Sequence, residues 1–473
     1  MITTTERSRF VILALAVVAF FMDGIDGSII TIALPQITES FNAGVNIASW
    51  VVLIYFLVIC SFILIVGKII EKTGASQIFL VGFAIFTVGS LLCALADSIF
   101  LLIVFRALQG AGACCLAAAS PALIALYLPS KKRGVSFGIL AASSAVAFAI
   151  GPVIGGAILE VTTWHWIFLI NIPIGISAVI AGYIILPREK PELRSLSFDY
   201  LGALLIFLTT ILLFLFITSG IIAGLPVALT LCVAALVSAA ALVIWERRTD
   251  DPVLDMDLIT RRPFFLSTLA FVFLGGAFGG ILFILPFYFD VILHATPGIT
   301  GMYLLIPAVF CAICNPPAGA TADRYGTRIV TIIGGSLVTL SFFLFCGYTT
   351  TEETILIFGS LILIGVGSGI FQGPGASRII ENSPEEKKVI ASAILSMALY
   401  IGVACGTALF SAAFSWFVPT GEHATIHGAI FMQGFHAAMI TGLVMAGIGL
   451  ILTIAVRNHS PQKKYDTNSS DYN

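Results

Sequence analysis

The sequence predicts an all-α integral membrane protein of fourteen transmembrane helices, arranged as two six-helix pseudo-repeat bundles with two helices inserted between them. Three observations predict it. Of the 473 residues, 59% are hydrophobic and only 10% charged, whereas a soluble domain is nearer half apolar and a quarter charged. The apolar residues fall in fourteen separate runs, each long enough to cross a bilayer. The basic residues collect in every second gap between those runs. A soluble chain this apolar would expose large adhesive patches, a cost that disappears when lipid is the solvent.

A spanning helix needs about 20 predominantly apolar residues. Such runs occupy 10–36, 45–67, 76–96, 99–128, 134–160, 165–187, 200–219, 223–246, 264–290, 298–321, 328–348, 354–380, 388–417 and 430–456. Arg7 and Arg9 precede the first run, Lys68 and Lys72 follow the second, and Lys131, Lys132 and Arg133 follow the fourth. Arg188, Lys190 and Arg194 follow the sixth, and Arg247, Arg248, Arg261 and Arg262 the eighth. The alternation continues to Arg457, Lys463 and Lys464 after the last. The other loops, such as Thr38–Gly44, Gly220–Leu225 and Pro419–Gly428, hold no Lys or Arg. Short loops rich in Lys and Arg stay cytoplasmic, so both termini are expected inside. The first run is longer than a signal-peptide core and reads as a spanning helix. With no organelle presequence apparent, the expected location is the plasma (inner) membrane of a prokaryote.

An internal repeat relates the two ends of the chain. Gly67-Lys-Ile-Ile-Glu71-Lys72-Thr-Gly74 follows the second run, and Gly319-Ala-Thr-Ala-Asp323-Arg324-Tyr-Gly326-Thr-Arg328 follows the tenth, 252 residues later. Both read glycine, three residues, acid, base, one residue, glycine. Pro121 and Pro374 sit at nearly the same offset in the fourth and twelfth runs. The expected division is an N-terminal bundle at 1–187, a linker with the two inserted helices at 188–263, a C-terminal bundle at 264–457 and a cytoplasmic tail at 458–473. Duplicated halves are a hallmark of secondary transporters, which bind solute between the halves near the bilayer midplane.

Within the runs, a few polar side chains are too costly to be incidental. Arg106 is the one basic residue deep in a run, and an Arg at the bilayer centre costs about 2.5–3.5 kcal/mol. It must face a wet cavity, an acidic partner or backbone carbonyls that it caps. Gln109 lies at i+3 on the same helix face, and Gly110 and Gly112 permit close helix approach there. Asp23 and Asp26, also i and i+3, sit midway along the first run. Mutual repulsion and desolvation favour the protonated form of such acids, the property that proton coupling requires. The same pair would attract a cationic solute, or hydrogen-bond the backbone of a glycine-loosened helix. Glu160 and Asp290 lie toward the outer ends of the fifth and ninth runs, where both can face external water; Asp290, following Phe287, Tyr288 and Phe289, can alternatively line an aromatic vestibule that binds cations. Gly151-Pro152-Val-Ile-Gly155-Gly156 combines a helix-kinking proline with bare surface for close packing.

These motifs together resemble the fourteen-helix drug:proton antiporter family of the major facilitator superfamily, over about residues 10–456. Ile25-Asp26-Gly-Ser28 through Ala33-Leu34-Pro35 is similar to that family's first-helix signature, and Arg106 with Gln109, Gly110 and Gly112 to its fourth-helix motif. Gly151-Pro152 with Gly155-Gly156 resembles the antiporter motif of the fifth helix. Trp164-His165-Trp166 through Asn171-Ile-Pro173 and Phe198-Asp199-Tyr-Leu-Gly202 resemble the starts of the sixth and seventh helices. The resemblance implies that Asp26 is a protonation site with Arg106 as its companion. Asp23 is additional to the pattern, as a second proton or cation site. It implies cytoplasmic gating loops at Gly67, Glu71 and Gly74 and at Gly319, Asp323, Arg324, Gly326 and Arg328. Gln109, Asp290 and Glu160 remain cavity or substrate candidates.

The expected function is secondary active transport: proton-driven antiport exporting lipophilic drugs or toxic compounds, cationic or not, by alternating access. The alternative on the same fold is a narrow exporter of a metabolite, amino acid or lipid. A membrane enzyme or sensor is disfavoured, because no nucleophile and base cluster and no sizeable soluble domain is evident. No nucleotide-binding motif is present, which fits transport driven by the proton gradient with no cofactor. Cys311 and Cys314 read as packing residues and Glu422, His423 and His427 as a solvated loop, so no metal site is expected. The expected partners are the lipid bilayer, protons and a small-molecule solute, with no nucleic acid. Since one chain carries both halves, a monomer is expected.

Overall fold

Inside lipid, a helix satisfies every backbone polar group within its own segment. A computed structural model describes residues 6–187, 199–220, 224–249, 254–349, 354–384, 387–418 and 428–456, and among these there are helices and no strand. The first group comprises α1 (Glu6–Phe41), α2 (Val45–Thr73), α3 (Ala75–Ala94), α4 (Ile99–Tyr127), α5 (Ser130–Val161), a short α6 (Trp166–Leu169) and α7 (Asn171–Ile185). Then come α8 (Tyr200–Leu215), ending in a π-helical turn over Phe216–Gly220, α9 (Leu225–Glu246) and a short α10 (Met256–Ile259). The second group comprises α11 (Arg262–Val291), α12 (Pro297–Tyr325), α13 (Thr327–Phe345), α14 (Thr354–Glu381), α15 (Lys388–Phe417) and α16 (Gly428–Ala455).

Fourteen spans among the described residues are long and apolar enough to cross a membrane, and they coincide with the fourteen apolar runs. One run is interrupted. Pro173 has no N–H to bond the carbonyl of Leu169, and there α6 ends and α7 begins. Asn171, the first residue of α7, is buried at this break.

The two groups share one packing plan. α1 lies on α5 as α11 lies on α15, α3 on α4 as α13 on α14, and α2 on α4 as α12 on α14. Between groups the partners exchange: α5 packs on α12, and α15 on α2. This is the signature of a pseudo-twofold axis. α8 and α9 pack mainly on each other, at the side of the molecule. The repeated loops have matching backbones: Gly74 has φ 93°, ψ 146° and Gly326 has φ 90°, ψ 146°. A side chain at either position would be strained, so both loops need glycine there. Each glycine N–H closes the preceding helix, on Ile70 O at 2.8 Å and on Ala322 O at 2.7 Å.

The inter-group contacts are tight at the end opposite the termini. A Cβ on Gly156 of α5 would strike the carbonyl of Pro297, and one on Gly301 of α12 the carbonyl of Pro152. Toward the termini the same helices lose cover. Val135, Phe137, Ile139 and Val146 of α5 and Ile313 of α12 are exposed, and Gly138 and Gly319 have no neighbouring atom within 4 Å of an added Cβ.

The segment before α11, the end of the expected linker, is anchored. Asp255 caps α10 by accepting from Leu258 N at 3.0 Å, and Lys387 Nζ lies 2.7 Å from Asp255 Oδ2. Partial burial pushes the Asp255 carboxyl up, but the hydrogen bond from Lys387, with that from Leu258 N–H, outweighs this and holds it below its ordinary value of 3.8. A depressed carboxylate pKa contributes stability that is present above the unfolded value and lost as pH falls through the folded one. Unfolding temperatures measured from pH 6 to pH 3 are therefore expected to drop below about pH 4. Asp255→Asn should show less of that drop; an identical profile would exclude the pair as its source.

Candidate functional site

The helix break and glycine contacts of the first group bring five of its helices onto one buried polar cluster. A Cβ on Gly112 of α4 would strike the Phe86 backbone of α3, so these helices lie against each other with only glycine between them. That approach sets Ser90 and Cys93 of α3 beside Gln109 of α4. α1 crosses α4 so that Asp26 meets Arg106, and the start of α7 adds Asn171.

Asp26 is 1% exposed and Arg106 fully buried. Arg106 Nη1 donates to Asp26 Oδ2 at 2.5 Å and to Gln109 Oε1 at 2.7 Å. Gln109 Nε2 donates to Asp26 Oδ1 at 2.7 Å and to Ser90 Oγ at 2.8 Å, and Asn171 Nδ2 reaches Asp26 Oδ1 at 3.2 Å. Arg106 Nε donates to the Val51 carbonyl of α2 at 3.0 Å. Arg106 Nη2 has no hydrogen-bond partner. The guanidinium instead lies 4.3 Å from the Tyr55 ring centroid and 5.8 Å from that of Phe168, and cation–π attraction offsets part of that desolvation. The carboxylate is thus surrounded by donors, and one cation neutralises it. Among the outcomes open to a buried Arg, two are realised: an acidic partner in Asp26 and a backbone carbonyl in Val51.

Asp23 is placed differently. Although three residues from Asp26, it is only partly buried and faces the contact between the two groups. Tyr55 Oη of α2 donates to its Oδ1 at 2.6 Å, and Tyr400 Oη of α15 donates to its Oδ2 at 3.2 Å. Tyr400 also packs against Phe56, with ring centroids 6.0 Å apart. Tyr55 therefore touches Asp23 with its hydroxyl and Arg106 with its ring face.

The remaining sequence-derived candidates lie elsewhere. Glu160 is exposed at the end of α5, where its Oε2 accepts from Gly298 N at 2.9 Å and caps α12 across the inter-group contact. Asp290 is exposed at the end of α11, near Glu39 and His294. Neither joins the cluster. Gly151 and Gly155 face α1, against Ser28 and against Ile29 and Ile32, whereas Gly156 and Pro152 face α12. Of the expected gating-loop residues only Gly74 and Gly326 lie between helices; Gly67 in α2 and Gly319 in α12 have open space, Asp323 of α12 is exposed, Arg324 of α12 lies 5.3 Å from the Tyr325 ring, and Arg328 Nη2 of α13 donates to Ile454 O at 3.0 Å. The side chain of Glu71, and Glu422, His423 and His427, lie outside the described residues. Among the described residues no three His, Cys, Asp or Glu side chains gather as a metal site. Sequence reasoning did not single out Tyr55, Ser90 or Tyr400, and it quoted Asn171 without a role. Neutral polar side chains are cheap in spans, and only their convergence marks them.

The family model described as Major Facilitator Superfamily matches residues 16–404, and again residues 266–471. The chain belongs to that superfamily. As such it is a multi-pass membrane transporter, and the repeated packing of α1–α7 and α11–α16 is the superfamily's two-bundle plan. It is 29% identical over 449 residues, 95% of this chain and 97% of the other, to "Riboflavin transporter RibZ" of Clostridioides difficile. It is 29% identical over 404 residues, 84% of this chain and 74% of the other, to "Multidrug resistance protein B homolog" of Mycobacterium tuberculosis. Among solved structures, a bacterial homologue of the human lysosomal transporter Spinster, inward-facing and unoccupied, aligns with a TM-score of 0.66 at 13% identity, covering 95% of this chain and 98% of that one. That likeness is one of fold.

Proposed function

We propose that this transporter is a proton-coupled antiporter that exports lipophilic, cationic compounds by alternating access. The observation that carries the reading is the single-cation, single-acid cluster: Asp26 and Arg106, both buried in mid-span, joined at 2.5 Å and bracketed by Gln109 and Asn171. Such a pair changes its hydrogen bonding when the acid takes a proton, because a protonated carboxyl is a poorer acceptor and gives up its pull on the guanidinium. Asp23, at the contact between the groups, offers a carboxylate flanked by aromatic rings to a cation. Multidrug proteins among the relatives support a lipophilic solute.

In this reading residues 1–187 and 264–457 rock against each other, with 188–263 as the insert and 458–473 as a tail. Both termini face the cytoplasm of a bacterial inner membrane, following the basic loops. The proton gradient is the only energy source, no cofactor or nucleic acid takes part, and the working unit is the monomer. A second reading is export of a neutral aromatic metabolite of flavin size, favoured by likeness to the riboflavin transporter along nearly the whole of both chains.

Reconstitution in liposomes that hold a pH-sensitive dye tests both. Lipophilic cations or riboflavin are added under an imposed proton gradient, with wild type and Asp26→Asn in parallel. Cation-dependent proton flux in the wild type that falls at least about a hundredfold in the variant is expected, a factor matching loss of one buried charged interaction of about 3 kcal/mol. Flux driven by riboflavin alone would select the second reading. Undiminished flux in Asp26→Asn would remove Asp26 from the coupling.

A further inference from the structure

An antiporter must obey one rule: the carrier changes face when loaded with proton or with solute, and stays put when empty. If the empty form moved freely, solute would run downhill without proton exchange. Something must hold the empty, deprotonated carrier, and it must be released by either ligand.

Two cross-group hydrogen bonds between described residues differ in kind. One is a cap, Gly298 N to Glu160 at the end opposite the termini. The other joins a titratable group in mid-span: Tyr400 of α15 donates to Asp23 of α1. Asp23 is the only acid of the α1 pair that is partly exposed, since Asp26 is sealed by Arg106, Gln109 and Asn171. Its two oxygens are divided between the groups, Oδ1 to Tyr55 of its own bundle and Oδ2 to Tyr400 of the other. The titratable and charged side chains that act on Asp23 from the packed helices are Tyr55, Tyr400, Asp26, Arg106 and Cys114. None is a free cation competing for it, because Arg106 is committed to Asp26.

We infer that Tyr400 is a positioning residue, a latch that holds the empty carrier in the state seen here by donating to ionised Asp23. An ionised carboxylate accepts from both phenols at once, through charge-assisted bonds. A proton reaching Oδ2 from the partly exposed side of Asp23 turns that oxygen into a hydroxyl donor, and Tyr400, the longer of the two bonds, loses its anionic acceptor while keeping its own proton. A solute cation seated on Oδ2 displaces the same phenol. Both ligands open one latch, so loaded carriers move and the empty one does not. Tyr55 passes the charge state of Asp23 inward, because its ring lies against Arg106. The latch rests on the antiport reading above, and it explains why a second acid at Asp23 accompanies the Asp26 pair.

The test uses the full chain with Tyr400→Phe, which keeps the ring on Phe56 and removes only the hydroxyl. In proteoliposomes, downhill solute flux is expected to persist while protons moved per solute fall about tenfold, the order expected when one hydrogen bond to a charged group is lost. Asp23→Asn provides the second variant and should uncouple likewise. In parallel, spin labels carried on p-acetylphenylalanine at positions 138 and 319, where side chains meet open space, report the spacing of α5 and α12. The wild-type distance is expected to shift between pH 8 and pH 5, and Tyr400→Phe to show the low-pH distribution already at pH 8. Unchanged coupling in Tyr400→Phe, or a distance response identical to wild type, overturns the latch. If the wild type moves no protons at all, the antiport reading fails, yet the distances still decide the latch on their own.

Discussion

Arg106→Met is expected to lower unfolding stability by about 3–5 kcal/mol, the usual consequence of stranding one member of a buried ion pair. The side chain of Met fills much of the same volume, so the loss is electrostatic and not a cavity. Asp26 would keep the donors Gln109 and Asn171 but lose its only counter-charge. Breaking the pair also ends any role in coupling. The double variant Arg106→Met with Asp26→Leu removes both charges and should recover most of the stability, because an apolar replacement for a buried pair is often neutral or better. Transport should stay absent in the double variant. Arg106→Lys should recover charge without function, since one ammonium cannot serve Val51 O, Gln109 and Asp26 in the planar fork that they present. Thermal unfolding of the four proteins in one detergent, alongside the liposome flux, separates the contributions. A single variant as stable as wild type would mean that Arg106 is not the sole support of the Asp26 charge.

That experiment also marks the limit of what the chain discloses in one dimension. The fourteen spans were legible because length and apolarity are local properties, and the bundle repeat because Gly74 and Gly326 need the same glycine-only backbone. Arg106 and Asp26 were each legible as expensive residues, but 80 positions separate them and nothing local pairs them. The family resemblance, not the spacing, pointed to their partnership. Ser90, Asn171, Tyr55 and Tyr400 were invisible for the opposite reason: each is an unremarkable side chain that costs little in a span, and its meaning lies in a neighbour from another helix. Glu160 was legible as a carboxylate at an outer helix end, open to external water, but not as a cap: its oxygen accepts from Gly298 N–H at the start of α12, an arrangement helix N-termini favour. The i, i+3 rule placed Asp23 and Asp26 on one face, yet helical geometry leaves such residues some 60° apart. That angle is enough to send one acid into the sealed cluster and the other to the contact between groups.

The same helix geometry yields the second large expectation, because adjacent glycines in α5 serve different contacts. Gly155 abuts Ile29 and Ile32 of α1, inside its own bundle, whereas Gly156 abuts the Pro297 carbonyl and Gly298 of α12, in the other. Overpacking costs about 1–3 kcal/mol in either place, but the cost falls on different equilibria. In Gly155→Leu it is borne by every state that keeps α1 on α5, so the unfolding temperature should drop. In Gly156→Leu it is borne only by states in which α5 and α12 close at the end opposite the termini, so stability should change little while the conformational equilibrium shifts about 5–150-fold away from the closed arrangement. Transport requires passage through both arrangements, and its rate should fall by a comparable factor. Gly156→Ala, which adds one methyl against a carbonyl, should lie between wild type and Gly156→Leu. The readouts are unfolding temperature, solute flux and the distance between labels at 138 and 319. Equal effects of Gly155→Leu and Gly156→Leu on all three would mean that α5 moves as one body with both neighbours, and that the contact with α12 is not the one that opens.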